Sequence, residues 1–229
     1  KHLDKEKYDL YTVGITKDGN WHLTDSNADQ ISRGEWEPGE KAMIVPDAKT
    51  RGLTLFHEKG TYEVIPVDVV FPVLHGKNGE DGTIQGLLDL TRIPYVGPGT
   101  TASAACMDKA ITKTMVGRTN VCQADSYLTD RYSFADNPQQ TLIDIEHQFD
   151  GNYPLFVKPA NAGSSVGITK AKSALDLFDA IRVAAEEDHK VLIEEAIIGR
   201  EIEVAVFGNR HTRASAIGEI LAANEFYDY

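Results

Sequence analysis

Four short stretches carry residue types that could do chemistry. In Pro154-Leu155-Phe156-Val157-Lys158-Pro159 a lysine stands in an otherwise apolar run, and five residues on comes Gly163-Ser164-Ser165-Val166-Gly167. Backbone N–H groups and two hydroxyls in a bendable turn can cradle or cover phosphate oxygens. Lys158 could add a point charge to the same oxygens. A plain glycine-serine hairpin with a surface lysine fits the same letters. The segment is not a Walker-type loop, because Gly-Lys-Ser/Thr does not occur.

The second stretch, His75-Gly76-Lys77-Asn78-Gly79-Glu80-Asp81-Gly82, follows the apolar run Val67 to Leu74. Three glycines let a loop at the end of a strand come close to a ligand. Glu80 and Asp81 would equally serve as caps for the next helix, and His75 alone would read as a structural histidine. Third, Lys190-Val191-Leu192-Ile193-Glu194-Glu195-Ala196-Ile197-Ile198-Gly199-Arg200-Glu201 runs from an apolar strand through acids into an apolar connector. Such a connector can offer backbone groups and a greasy wall to a purine, with an acid nearby for ribose hydroxyls; a solvated acidic face explains Glu201 and Glu203 as well. Fourth, Lys109 and Lys113 lie four apart and share a face if helical. A lysine just after Asp108, at a helix start, is unfavourable beside the positive dipole end unless an anion binds there; two solvated lysines remain the plainer reading.

The elements that must position these groups are partly legible. Tyr8 to Leu23 predicts two strands around Lys17-Asp18-Gly19-Asn20. Residues 24–60 are polar with short apolar islands and resist assignment. Val67 to Leu74 predicts a strand buried on both faces of a parallel sheet, followed by a helix carrying Ile84, Leu87 and Leu88, and Ile93 to Gly99 a short strand and turn that closes an α/β first domain near residue 100. Residues 101–118 read as helical, broken by Gly117. Pro154–Pro159 and Val166–Lys170 predict two strands joined by 160–165, then an amphipathic helix with Leu175, Leu177, Phe178, Ile181 and Val183 on its apolar side. Strands are expected at Val191–Glu194 and Glu201–Phe207. On the latter, period two puts Glu201, Glu203 and Ala205 on one face and Ile202, Val204 and Val206 on the other.

Composition narrows the partners. The chain has 229 residues, 41% apolar, and 23 basic against 35 acidic side chains, a formal charge of −12. That balance opposes nucleic acid and anionic membrane surfaces, so a polyanionic ligand needs locally placed cations. Cys106 and Cys122 show no metal-ligand spacing, suit a reducing cytoplasm and are expected as core thiols. No stretch approaches the ~20 apolar residues of a membrane span. A cytoplasmic protein without nucleic-acid or membrane partners is expected.

Taken in order, these motifs resemble the D-alanine–D-alanine ligases of the ATP-grasp superfamily. His75 through Gly86 fits the family signature HGxxGEDGxxQG throughout. Met107-Asp108-Lys109 with Lys113, Phe156-Val157-Lys158-Pro159, Gly163 to Gly167, Gly199-Arg200-Glu201-Ile202-Glu203-Val204, Gly218-Glu219-Ile220 and Glu225-Phe226-Tyr227-Asp228-Tyr229 follow in family order. The resemblance is close over residues 60–229 and loose before them.

The resemblance implies an α/β and α+β architecture. An N-terminal α/β (pre-ATP-grasp) substrate-side domain would occupy 1–100, the central ATP-grasp subdomain 101–195 and the start of the C-terminal subdomain 196–229. It implies that ATP phosphorylates the carboxylate of one D-alanine, and that the amine of a second attacks the acyl phosphate for peptidoglycan precursor synthesis. Lys109, Lys158 and Gly163, Ser164 and Ser165 would hold phosphates. Glu194 with Glu195, Ala196 and Ile197 would contact adenine, and Glu201 the ribose. His75 and Glu80 would lie by the D-alanine and acyl-phosphate site. His75 and Ser164 would be the catalytic pair, with Ser164 also part of the substrate pocket.

Magnesium, or manganese in its place, would bridge the phosphates, its ligands lying beyond Tyr229. The family's glycine-rich first strand, with a substrate-binding glutamate, would precede Lys1, and its flexible loop with a lysine and a tyrosine would follow Tyr229; an incomplete and by itself inactive chain is therefore expected. The family's habit implies a homodimer. D-alanine–D-lactate ligation shares nearly all these motifs, although Glu225 to Tyr229 resembles the D-alanine branch. A non-catalytic ATP-grasp nucleotide-binding module is the reading from another class, against which the intact His75 loop argues.

Overall fold

The computed structural model describes residues 3–221, so the Glu225–Tyr229 motif lies outside the described residues. The chain divides into two compact units, residues 1–74 with 82–100, and residues 75–81 with 101–229.

The first unit is built on strands β1 (Val13–Ile15) and β2 (Trp21–Leu23), helix α1 (Ala28–Ser32), strands β3 (Lys41–Ile44), β4 (Gly52–Phe56) and β5 (Tyr62–Pro66), and helix α2 (Thr83–Thr91). The five strands form one antiparallel sheet in chain order. The expected hairpin is present, but its first strand begins at Val13. The stretch 24–60, unassigned from sequence, supplies the middle of this sheet. There Ala42 pairs with Leu55 and Ile44 with Leu53, so period two places all four in one core with Ile84, Leu88 and Ile93. Helix α2 buries Ile84, Leu88 and Thr91, spaced four and three apart, and Arg92 ends it in the left-handed conformation.

Among the described residues the parallel sheet expected around Val67–Leu74 is not found. This run makes one parallel bridge, Val70 to Tyr95, through Val70 N–H to Pro94 O and Val96 N–H to Val70 O. Pro66 and Pro72 lack donors, and Phe71 and Val73 stay exposed. An apolar run becomes a strand only where ladders are offered on its edges, and this run meets the Tyr95 segment at one bridge and Arg51 O through the Val67 N–H.

The second unit contains most of α3 (Thr100–Met107), then α4 (Lys109–Val116), β6 (Ser126–Asp130), α5 (Arg131–Asp136), α6 (Pro138–Gln148), β7 (Leu155–Pro159), β8 (Thr169–Ala171), α7 (Ala174–Glu187) and β9 (Lys190–Glu195). The sheet order is β6-β9-β7-β8, antiparallel throughout. Leu155, Val157, Val191 and Ile193 on one face share a core with Leu177, Ala180, Ile181 and Ala184 of α7, with Ile145 of α6 and with Phe134 of α5. Alternation therefore turns Phe156, Lys158, Leu192 and Glu194 to the opposite face.

After β9 the expected single strand 201–207 is two, because its halves take different partners. Strand β10 (Glu201–Glu203) is paired by β13 (Gly218–Ile220), and β11 (Val206–Phe207) by β12 (Arg213–Ala214). Ala205, between the halves, is held by Ser215 through both backbone and hydroxyl. Strands β10, β11 and β12 are exposed along their length and β13 is half-buried at Gly218 and Ile220, so the apolar side expected at Ile202, Val204 and Val206 stays open among the described residues.

The cysteines are not core thiols. Both are exposed: α3 buries only Ser103, which leaves Cys106 on its open side, and Cys122 lies in the exposed turn after α4.

Candidate functional site

Helix α4 begins at Asp108, whose carboxylate accepts from the backbone N–H of Ala110 and Ile111. That cap satisfies the helix start, so the Lys109 ammonium need not sit in the unfavourable dipole field. It reaches instead to the chain leaving β7 and donates to the carbonyl oxygens of Ala162 (2.6 Å), Pro159 (3.2 Å) and Ala160 (3.4 Å). One turn along, Lys113 donates to Glu194 Oε1 at 2.6 Å and to the Ala124 carbonyl at 2.8 Å. Lys158 donates to the other carboxylate oxygen, Glu194 Oε2, also at 2.6 Å. Its ammonium also lies 5.5 Å from the centroid of the Phe156 ring.

These groups meet because the sheet register puts Phe156 opposite Glu194 and Lys158 one pleat along on the same face. Together with Cys106, Thr112 and Gln123 they line a cavity of about 350 Å³, within the usual range for a small-molecule site. Three ammonium groups face one carboxylate there, in a chain whose formal charge is −12. Burial works to raise the Glu194 carboxyl, but the Lys113 and Lys158 hydrogen bonds and charges outweigh it and hold the group below its ordinary value. Lys109 is pushed down, first by burial and then by the Lys158 charge, against the pull of Glu194, Asp108 and Asp188. An added anion would relieve that repulsion.

The loop after β7 is shaped for close approach. Ser164 (φ 50°), Ser165 (φ 58°) and Gly167 (φ 70°) all adopt the left-handed conformation, which costs a non-glycine residue about 1–3 kcal/mol and persists where surrounding structure enforces it. At Gly167 a Cβ would stand 2.9 Å from Glu187 Cγ and 3.2 Å from Pro159 Cγ. At Gly163 a Cβ would lie 3.6 Å from Gly76 Cα and 3.9 Å from Glu80 Oε2, so the glycine-serine loop runs beside the His75–Asp81 loop within this unit. Glu80 bonds its own loop, accepting from Gly76 N–H at 2.6 Å, and Asp81 Oδ2 accepts from Asn78 N–H at 2.9 Å. These acids therefore organise the loop itself.

Of the residues singled out from sequence, the fold brings Lys109, Lys158 and Glu194 to one cavity and sets Gly163 beside the loop that carries His75 and Glu80. Ser164 is exposed and Ser165 half-buried in the glycine-serine turn. Glu195 accepts from Asp125 N–H at 2.8 Å. Ala196, Ile197 and Glu201 follow it along the exposed connector and β10, and none of the four lines the cavity. Sequence reasoning assigned no role to Lys113, although its four-residue spacing from Lys109 was the available signal. Gln123, Thr112 and Cys106 gave none.

The chain matches a family model described as the D-ala D-ala ligase N-terminus over residues 1–98 and one described as the D-ala D-ala ligase C-terminus over residues 116–229. A D-alanine–D-alanine ligase of Thermoanaerobacter sp. (strain X514) is 48% identical across the whole chain, which spans 62% of that relative's length. One from Ruminiclostridium cellulolyticum is 42% identical, with 63% of its length covered. Among solved structures, the VanG D-Ala:D-Ser ligase from Enterococcus faecalis superposes with a TM-score of 0.84 at 35% identity, over 99% of this chain and 64% of that one. The D-alanine–D-alanine ligase from Coxiella burnetii gives 0.79 at 30% identity, over 96% and 63%. With both of the family's models matched in order and relatives aligned along its whole length, this chain belongs to the D-alanine–D-alanine ligase family.

Proposed function

We propose that this chain forms the substrate-side domain and the central ATP-grasp subdomain of an ATP-dependent ligase that joins two D-alanines through a D-alanyl phosphate. The observation that carries the reading is the cavity in which Lys109, Lys113 and Lys158 surround Glu194. ATP brings a polyanion to three ammonium groups. Lys158 exchanges Glu194 Oε2 for phosphate oxygen, Lys109 turns from the loop carbonyls to the same phosphates, and Lys113 keeps Glu194 in place to accept from the adenine amino group. Glu195, Ala196 and Ile197 pass along the base, Glu201 takes the ribose hydroxyls, and Gly163, Ser164 and Ser165 close over the phosphates. Positioning and charge neutralisation are the main demands of phosphoryl transfer. A carboxylate oxygen of the first D-alanine, held by His75, Glu80 and Ser164, attacks the terminal phosphorus and ADP leaves. The neutral amine of the second D-alanine then attacks the acyl carbon, losing a proton as phosphate departs.

Residues 1–100, 101–195 and 196–229 take the substrate-side, central and C-terminal roles in this reading, in a cytoplasmic homodimer. Among the described residues no helix is long and apolar enough to cross a membrane. Magnesium or manganese belongs to the family's chemistry, but among the described residues no group of three or more His, Cys, Asp or Glu could hold a metal ion. The described residues therefore do not fit that site, and no step is assigned to it.

The test is to incubate the full-length protein with ATP, magnesium and D-alanine and to follow ADP, phosphate and dipeptide, with D-lactate and D-serine offered as alternative second substrates. D-alanine-dependent ADP release with D-alanyl-D-alanine as product is expected. ATP turnover without any D-alanine dependence would contradict the reading.

A further inference from the structure

Behind the lysine cavity lies a second polar cluster that the mechanism above does not use. Asp108, whose side chain is 5% exposed, receives the Lys190 ammonium through Oδ2, and the same oxygen accepts from Asn161 Nδ2 at 3.3 Å. Asn161 donates both its backbone N–H and its Nδ2 to Asp188 Oδ2, each at 2.8 Å. Asp188 caps the end of α7 and its Oδ1 lies 2.9 Å from His189 Nδ1. Burial opposes ionisation of both aspartates, yet the hydrogen bonds from Lys190 and Asn161 hold both below their ordinary value. Asn161 thus stands as a neutral donor between two carboxylates. It is also the second residue past β7, at the foot of the loop that carries Gly163 to Gly167. From the other side Lys109 grips the same foot at the carbonyls of Pro159, Ala160 and Ala162, while its backbone N–H donates to Ala160 O at 3.1 Å, and Ala160 N–H donates to Lys190 O at 3.0 Å.

We propose that Asn161 is a positioning residue for nucleotide: through Asp108 and Asp188 it locks the loop foot to the start of α4, the end of α7 and the start of β9. Lys109 and the glycine-serine loop are thereby set at a fixed spacing before ATP arrives. The proposal rests on the reading of the cavity as the phosphate site. When Lys109 turns toward phosphate it gives up the loop carbonyls, and Asn161 is then the side chain that keeps the foot from following. Both of its Nδ2 contacts are to ionised carboxylates, and such bonds are about twice as strong as neutral ones. The neutral amide donates to both without adding charge; aspartate at 161 would place a third carboxylate against Asp108 and Asp188, with the Lys190 and Lys109 ammoniums and His189 as the titratable groups around it.

The experiment uses the full-length protein and reads affinity for a non-hydrolysable ATP analogue by titration calorimetry, beside KM for ATP and for D-alanine and the thermal unfolding midpoint. Asn161→Ala is expected to weaken the analogue and raise KM for ATP by roughly ten- to a hundredfold, with KM for D-alanine near the wild-type value. Asn161→Asp is expected to be as weak at neutral pH and, relative to wild type at each pH, to regain affinity as the pH falls and a proton restores one donor. Wild-type analogue affinity in a folded Asn161→Ala protein would overturn the proposal, as would a pH-independent defect in Asn161→Asp. Should Asn161→Ala fail to fold, the pH series on Asn161→Asp decides alone. Loss of D-alanine dependence in wild type would strike the ligase reading only, since analogue binding is measured separately.

Discussion

A single carboxylate, Glu194, takes Lys113 and Lys158 by its two oxygens, and this bidentate role is what one residue contributes here. Half-buried charges paired in this way are costly to break one at a time, because the survivor is left unpaired. The serines of the turn divide the loop's work differently. Ser164 is exposed and Ser165 half-buried, both in the left-handed conformation. If the loop serves through its backbone N–H groups alone, either hydroxyl is dispensable. The ligase reading gives Ser164 a side-chain role in the substrate pocket, and loss of one such hydrogen bond costs about 1–3 kcal/mol. Ser164→Ala in the full-length protein is therefore expected to lower D-alanine-dependent turnover roughly ten- to a hundredfold, with Ser165→Ala doing less harm. Steady-state kinetics on the two variants check it, and equal, slight effects would reduce Ser164 to a turn residue.

At the scale of elements, strand register and one helix start place the site. Lys158 and Glu194 meet because β7 and β9 pair as they do; Lys109 and Lys113 meet them because α4 starts at a capped Asp108. Gly167 adjoins this arrangement at φ 70°, with Glu187 and Pro159 where a Cβ would go. Gly167→Ala is expected to cost about 1–3 kcal/mol of stability, read by urea unfolding, and to raise KM for ATP by distorting the loop.

The carboxylates of this unit also set its acid tolerance. Asp108, Asp188 and Glu194 all titrate below their ordinary values in the fold. Their contribution is then fully present above the ordinary carboxylate range and is lost as the pH falls through the lowered values, because the unfolded chain binds those protons first. Lys190→Met, which leaves buried Asp108 without its ammonium, is expected to cost about 3–5 kcal/mol at neutral pH and to flatten this acid limb; unfolding free energies measured across the acid range check both.

The motif order and the charge arithmetic were legible across the whole chain. A formal charge of −12 demanded locally placed cations for a polyanion, and the fold supplies them at Lys109, Lys113 and Lys158. Strands β7 and β9 and helix α7 were readable because each carries a strong periodic or apolar signal over five or more residues, although Leu175 and Val183, expected on the apolar side of α7, are exposed and Ala180, Ala184 and Ala185 are buried in their place. Of the first unit's sheet only the β1–β2 hairpin was readable, since β3 and β4 are short runs whose partners lie in segments of mixed polarity. Val67–Leu74 misled because an apolar run does not state which ladders it will be offered. The Asp108–Lys190 and Asn161–Asp188 contacts join residues 82 and 27 positions apart, and nothing local in the sequence announces them.

The claim that ties these scales together is that the lysine cavity holds ATP's phosphates. Titration of the full-length protein with a non-hydrolysable ATP analogue, wild type against Lys158→Ala, tests it most directly. Analogue affinity is expected to fall roughly tenfold or more in Lys158→Ala, with the circular dichroism spectrum little changed and some loss of unfolding midpoint, since Glu194 keeps only Lys113. Equal affinity in the two proteins would contradict it and leave Lys158 a surface lysine paired with Glu194.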